Sequence, residues 1–264
     1  MYQYARGRKP KYHSTISSLL LCLLAVSLWV APATAHDEPK EMEHAEEQEE
    51  ITWDRSVSFG FNLTDGNSET TLFNIGGKLS REKSKDIWRF EAAHSFGEEN
   101  GATNIDRTTG IAQYKHLFTE RWYAGLGLDF LRNDISDVKY RATANPVLGY
   151  FIVKNDTHRF SVEGGPSYLW EEVAGIENNY LAPRVGQRWE WQLSETAKFF
   201  EEASVIWEAE NSTNYIINAE AGIEAILVDS LSIVISVIDT YDNQPAEELK
   251  RNDITTITAL NYTY

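Results

Sequence analysis

Ile217-Asn218-Ala219-Glu220-Ala221-Gly222-Ile223-Glu224-Ala225 places an apolar or small side chain at every odd position and a polar residue or glycine at every even one. Trp122-Tyr123-Ala124-Gly125-Leu126-Gly127-Leu128-Asp129-Phe130 repeats the alternation with its large apolar residues on even positions. Val57, Phe59, Phe61 and Leu63 alternate with Ser56, Ser58, Gly60 and Asn62, and Ala203, Val205, Trp207 and Ala209 with Glu202, Ser204, Ile206 and Glu208. Neighbouring strand side chains point to opposite faces, so a period of two gives each segment one apolar and one polar wall. No long stretch has the period of 3.6 that a helix needs. The domain is expected to be all-β.

Turn signals divide the chain into about twelve strands, near 53–63, 69–80, 87–97, 106–117, 121–131, 141–153, 159–170, 180–192, 198–209, 214–227, 231–241 and 254–264. Strands of about eleven residues suit a bilayer crossed at a tilt of about 45°. The links divide into short ones (81–86, 119–120, 154–158, 194–197, 229–230) and mostly longer ones (98–105, 132–140, 171–179, 242–253), with 210–213 shorter than that alternation asks. Short turns at one end and longer loops at the other are the habit of an even-stranded barrel with both termini in the periplasm.

Charge decides between a soluble barrel and a membrane one. Glu163, Arg184, Arg188, Glu190, Glu202, Glu208, Glu220 and Glu224 share the polar face, while the opposite face is aliphatic and aromatic. A polar lumen inside an apolar wall is the pattern of a bilayer-spanning barrel, and closure satisfies every backbone group where lipid cannot. Trp53, Trp88, Trp122, Trp170, Trp189, Trp191 and Trp207 fall near expected strand ends, where amphipathic rings would form two interfacial girdles. The reading is an antiparallel up-and-down transmembrane β-barrel over residues 51–264, bound by outer-membrane lipid.

The first 35 residues support export. Arg6, Arg8, Lys9 and Lys11 precede the apolar run Leu19–Val30, and Ala33-Thr34-Ala35 follows it, the layout of a cleavable signal peptide. The run is too short for a spanning helix. Cleavage after Ala35 removes the sole cysteine, Cys22, and moves the formal net charge from −16 to −20. Nothing so acidic binds nucleic acid through a basic patch. Residues 36–50 hold eight carboxylates against Lys40 and read as an acidic disordered tether, with His36 and His44 as solvated residues and not metal ligands.

At the other end, Leu260, Tyr262 and Tyr264 lie on one face of a strand that finishes at the last residue. A terminal aromatic behind alternating apolar residues resembles the assembly signal of outer-membrane proteins and implies the barrel-assembly machinery as a partner. Gly60-Phe61-Asn62 with Asp65-Gly66-Asn67-Ser68-Glu69-Thr70, then Asn145-Pro146-Val147-Leu148-Gly149-Tyr150, Gly164-Gly165-Pro166-Ser167-Tyr168 and Arg184-Val185-Gly186-Gln187-Arg188 resemble the YdiY-like, salt-induced outer-membrane protein family, a domain of unknown function. The resemblance implies a barrel in the outer membrane and a link to salt stress; it brings no catalytic residues.

No metal-ligand spacing, phosphate loop or nucleophile elbow occurs, and neither a metal nor a cofactor is expected. His94 shares a face with Trp88, Phe90 and Phe96, so an outer-membrane lipid-modifying enzyme with a lipid-side triad is a third reading, although Ser95 points the other way. The first is a small pore or structural envelope protein. Six carboxylates against Arg184 and Arg188 would make its lumen acidic and cation-preferring, unless those arginines pair with Glu220 and Glu224 and plug it. The second is a surface binding module in which Glu98, Glu99, Asp106, Glu171, Glu172, Glu177, Glu247 and Glu248 take divalent cations or lipid headgroups on outer loops.

Overall fold

The structure is a computed structural model that describes residues 53–64, 70–247 and 249–264. The signal segment, the acidic segment 36–50, the first turn at Asp65-Gly66-Asn67-Ser68 and Glu248 lie outside the described residues.

Every described element is a strand: β1 (Asp54–Thr64), β2 (Thr70–Lys83), β3 (Asp86–Glu99), β4 (Ala102–Leu117), β5 (Trp122–Asn133), β6 (Val138–Lys154), β7 (His158–Gly165), β8 (Tyr168–Val173), β9 (Ile176–Leu181), β10 (Arg184–Ser194), β11 (Ala197–Trp207), β12 (Tyr215–Val228), β13 (Leu231–Asp242) and β14 (Asn252–Thr263). All pairings are antiparallel, and β1 meets β14 to close the barrel. β6 pairs with β7 through Leu148–Lys154 and with β8 through Val138–Ala144. So β7 and β8 are two halves of one stave, as are β9 and β10, and the barrel has twelve staves.

The two breaks have a chemical cause. Pro166 and Pro183 offer no N–H to a ladder, and the residues beside them carry the pairing across: Ser167 N–H to Ala182 C=O at 3.0 Å, and Ala182 N–H to Ser167 C=O at 2.7 Å. Pro146 lies on the adjoining stave, so close that a Cβ on Gly165 would meet its carbonyl oxygen at 2.1 Å. The Asn145–Tyr150, Gly164–Tyr168 and Arg184–Arg188 motifs therefore sit side by side on three neighbouring staves.

The strands run longer than alternation alone suggests. Several outer links contract accordingly: β3 joins β4 through Asn100-Gly101, and β8 joins β9 through Ala174-Gly175. Both residues of each turn have positive φ (51° and 76°, then 52° and 76°), the primed geometry that matches the twist of a hairpin. The expected long loops at 98–105 and 171–179 are therefore tight hairpins. The longer connections at that end are 208–214, expected to be short, and 243–251.

Val57, Phe59, Phe61, Leu126, Leu128, Leu148, Val185, Ile223, Ile235 and Leu260 all stand exposed on the outside. Aromatic pairs crowd the end that carries the termini: Trp88 against Tyr114 (ring centroids 4.3 Å), Trp122 against Tyr150 (4.9 Å) and Trp189 against Trp191 (5.8 Å). Tyr168 with Trp170 and Tyr215 with Tyr241 lie at the other end. An apolar band between two aromatic girdles, with no free edge, is the outside of an outer-membrane barrel. His94 is on this surface, its Nδ1 3.0 Å from the Thr108 hydroxyl, while Ser95 is buried on the inner side. Among the described residues no carboxylate touches His94, and the triad that would have made it catalytic does not form.

The seam is short: Ser56–Phe59 pair with Leu260–Thr263, and the Tyr264 N–H reaches the Arg55 carbonyl at 3.1 Å. Deleting Tyr262–Tyr264 removes two register pairs and that last bond from the seam, and on the other side the Leu231–Tyr262 pair and the Thr263 N–H bond to the Ser230 carbonyl. At about 1 kcal/mol per bond, the assembled barrel is expected to fall about tenfold or more. Heat-modifiable mobility in SDS measures it; wild-type levels in the truncated chain would rule out a role for these residues in assembly.

Candidate functional site

The inside of the barrel is the candidate site, and it is far from empty. Near the terminal end Tyr123, fully buried, lies across its register partner Gly149, where a Cβ would come within 2.1 Å of the ring. Leu117, Val147 and Phe151 pack around it. Beside this apolar plug one carboxylate gathers three donors: Glu163 accepts from Lys115 Nζ at 2.8 Å, the Tyr123 hydroxyl at 2.9 Å and Arg184 Nη1 at 2.9 Å. The Lys115 and Glu163 side chains are each 9% exposed. Glu82, from the second stave, takes Arg159 at 2.5 Å and Lys154 at 3.4 Å from the far wall.

Higher in the lumen ion pairs span the bore. Arg89 on β3 reaches Glu202 on β11 at 2.9 Å and also holds Glu91 at 2.8 Å. β3 is the third stave and β11 the ninth of twelve, so this contact joins opposite walls. Arg188 meets the same Glu202 at 2.5 Å and Glu190 at 2.8 Å. Lys198 pairs with Glu224 at 2.9 Å, and Ser232 and Asn261 donate to that carboxylate too. Asp129 is held by the Asn145 amide. Towards the other mouth Arg141 bonds Glu171 at 2.6 Å on its own side and Asp242 at 3.2 Å across the barrel. The Ser136 hydroxyl, in the link between β5 and β6, donates to Asp253 at 2.7 Å. Leu169, Ala182, Ile206 and Ile216 form a second apolar cluster below that mouth.

Between these crossings lies a cavity of about 500 Å³. Of the residues expected to line the lumen, Arg184, Arg188, Glu190, Glu202, Glu220 and Glu224 are on its wall. Glu163 points inward but is enclosed by its three donors. Glu208 lies past the end of β11, where its carboxylate accepts from the Asn214 amide at 2.9 Å, and so belongs to the rim. The alternative in which Arg184 and Arg188 pair with Glu220 and Glu224 does not occur, since Arg184 takes Glu163 and Arg188 takes Glu202 and Glu190.

The sequence reading missed most of the cations. Lys78, Arg89, Arg107, Arg141 and Lys198 join Arg184 and Arg188 on the cavity wall, against the inward carboxylates of Glu91, Asp129, Glu190, Glu202, Glu220 and Glu224. Seven cations face six anions, so the acid excess seen on the later staves is cancelled by the earlier ones. The signal was present: Arg89 and Glu91 have the parity opposite to Trp88 and Phe90, just as Glu220 and Glu224 oppose Ile217 and Ile223. Two of the outer acidic residues are engaged as well. Glu171 is buried on Arg141 and Glu172 meets Lys139 at 2.8 Å; Glu98, Glu99, Asp106 and Glu177 lie within strands rather than loops. Among the described residues no group of three or more His, Cys, Asp or Glu side chains is arranged to hold a metal ion.

The family model described as "Protein of unknown function, DUF481" matches residues 57–264. No curated protein matches. Similar solved structures include the NanC porin (9% identity, 81% of this chain and 100% of that chain, TM-score 0.47). They also include the KdgM porin (8%, 79% and 99%, 0.45) and an outer membrane channel from Pseudomonas putida F1 (7%, 80% and 95%, 0.49).

Proposed function

We propose that this chain, which belongs to the DUF481 family of unknown function, serves as a narrow outer-membrane channel, its bore crossed by ion pairs, that admits small polar solutes with little preference between cations and anions. The observation that carries the reading is the Arg89–Glu202 contact between the third and ninth staves. Twelve staves lie between small barrels filled by their own side chains and sixteen-stranded porins with water-filled channels, so a single salt bridge is long enough to partition this lumen. Fixed charges of both signs along the wall offer successive weak sites to either ion, where a ring of one sign would exclude its own kind. A signal peptide for export and a C-terminal strand read by the barrel-assembly machinery complete the proposal.

Ion pairs across water-accessible space are screened by salt. Conductance in planar bilayers is therefore expected to rise faster than in proportion to potassium chloride concentration, with a reversal potential close to zero in a salt gradient. A large current proportional to salt, or a strong cation preference, would overturn this reading. Complete silence at every salt concentration would instead favour a structural envelope role, which the apolar plug around Tyr123 also suits.

A further inference from the structure

Every cation on the cavity wall but one has an ion-pair partner among the described residues. Lys78 has Glu91 at 3.5 Å, Lys198 has Glu224, and Arg89, Arg141, Arg184 and Arg188 have the carboxylates named above. Arg107, on β4, has none, and its Nε is buried without a hydrogen-bond partner. The carboxylates whose charge acts on it are those of Asp253 and Glu220, and neither forms an ion pair with it. Asp253 already accepts the Ser136 hydroxyl. Glu220 has the Ser236 hydroxyl near it and no cation as partner; the Arg89 it faces is taken by Glu91 and Glu202.

Arg107 is on the fourth stave and Glu220 on the tenth, opposite walls of the same cavity. A charge partly shielded from water and without an ion-pair partner is costly, and Arg107 and Glu220 each present one to this cavity. A free cation would satisfy Glu220 but be repelled by Arg107; a free anion meets the reverse problem. A molecule carrying both charges satisfies both walls and adds no net charge to a lumen that is close to balanced. The volume is ample, since a water takes about 30 Å³ of liquid and the cavity about 500 Å³.

We infer that the cavity binds a small zwitterion, its carboxylate on the Arg107 guanidinium and its ammonium on the Glu220 carboxylate. This deepens the channel reading by naming a solute class, and its test reads binding rather than conduction, so a silent channel would leave it standing.

The test uses the folded mature chain in detergent and follows the temperature at which the heat-modifiable band is lost. The probes are glycine, β-alanine, 4-aminobutanoate and 6-aminohexanoate, with butanamide, butanoate and butylammonium as matched controls. A ligand at a hundred times its Kd raises the folded-to-unfolded ratio about hundredfold. The expected result is a rise in that temperature that peaks at one chain length and is absent with the three controls. Arg107→Gln and Glu220→Gln should each abolish it, while Lys139→Gln, in an exposed pair, should keep it. Shifts of equal size with butanamide, no dependence on chain length, or no shift with any amino acid overturn the inference from the wild-type protein alone. A peak surviving in either glutamine variant overturns the assignment of residues.

Discussion

Glu163→Ala is expected to cost the barrel about 3–5 kcal/mol, the usual loss when one partner of a buried pair is removed. The carboxylate serves Lys115, Arg184 and the Tyr123 hydroxyl together. Without it the Lys115 ammonium is left over the Tyr123 ring, 4.8 Å from its centroid, with no ion-pair partner. Arg184 is better placed, because it borders the cavity and can turn to water. The double replacement Lys115→Met with Glu163→Leu should recover most of the loss, since well-packed apolar side chains often stand in for a buried pair at no cost. Urea unfolding of the reconstituted barrel, followed by tryptophan fluorescence, measures both variants. An alanine variant as stable as the wild type would show that the cluster does not brace the barrel.

The largest functional effect is expected at the transluminal bridge. Glu202 is shared by Arg89 and Arg188, so Glu202→Ala leaves two guanidinium groups facing each other across the bore. They should separate, widen the passage and raise conductance several-fold with a shift towards anions. Arg89→Ala breaks the same crossing but leaves an excess carboxylate, so conductance should rise with a shift towards cations. The signs are opposite because one variant removes a negative charge from the bore and the other a positive one. Single-channel currents and reversal potentials in a potassium chloride gradient report both. Unchanged conductance in both variants would mean that the bridge does not limit passage.

The barrel itself was legible because lipid enforces a rule the sequence has to obey. Ile217, Ile223, Leu126 and Leu128 are where a period of two puts them, and the twelve staves match the twelve segments divided at turn signals. Strand ends were less legible, because hairpins continue above the bilayer, where alternation no longer carries an apolar signal. Asn100-Gly101 is a strong turn dipeptide, yet the acids around it suggested a loop. The lumen was half legible. Parity tells which side chains point inward, and Arg188, Glu202 and Glu224 border the cavity. It cannot tell which of them meet, because Arg89 and Glu202 are 113 residues apart and only closure of the barrel brings them together. Charge balance failed for the same reason: an account restricted to the later staves omits the wall opposite.

The tight hairpins at Asn100-Gly101 and Ala174-Gly175 also bear on what the cell shows to its surroundings. Each reverses direction within two residues, too little backbone to bend into the cleft of a protease or to fill the footprint of an antibody or a phage fibre. At the mouth opposite the termini, the described connections long enough to be gripped are 208–214 and 243–251. Both are tied at their bases, the first by the Glu208–Asn214 bonds and the second by Asn243 and Gln244 on Thr213 and by the Asp242 N–H on the Arg251 carbonyl. The longer of the two, 243–251, is where an inserted epitope is expected to be displayed and where a foreign enzyme is expected to cut. At these two hairpins the barrel offers large molecules little to hold.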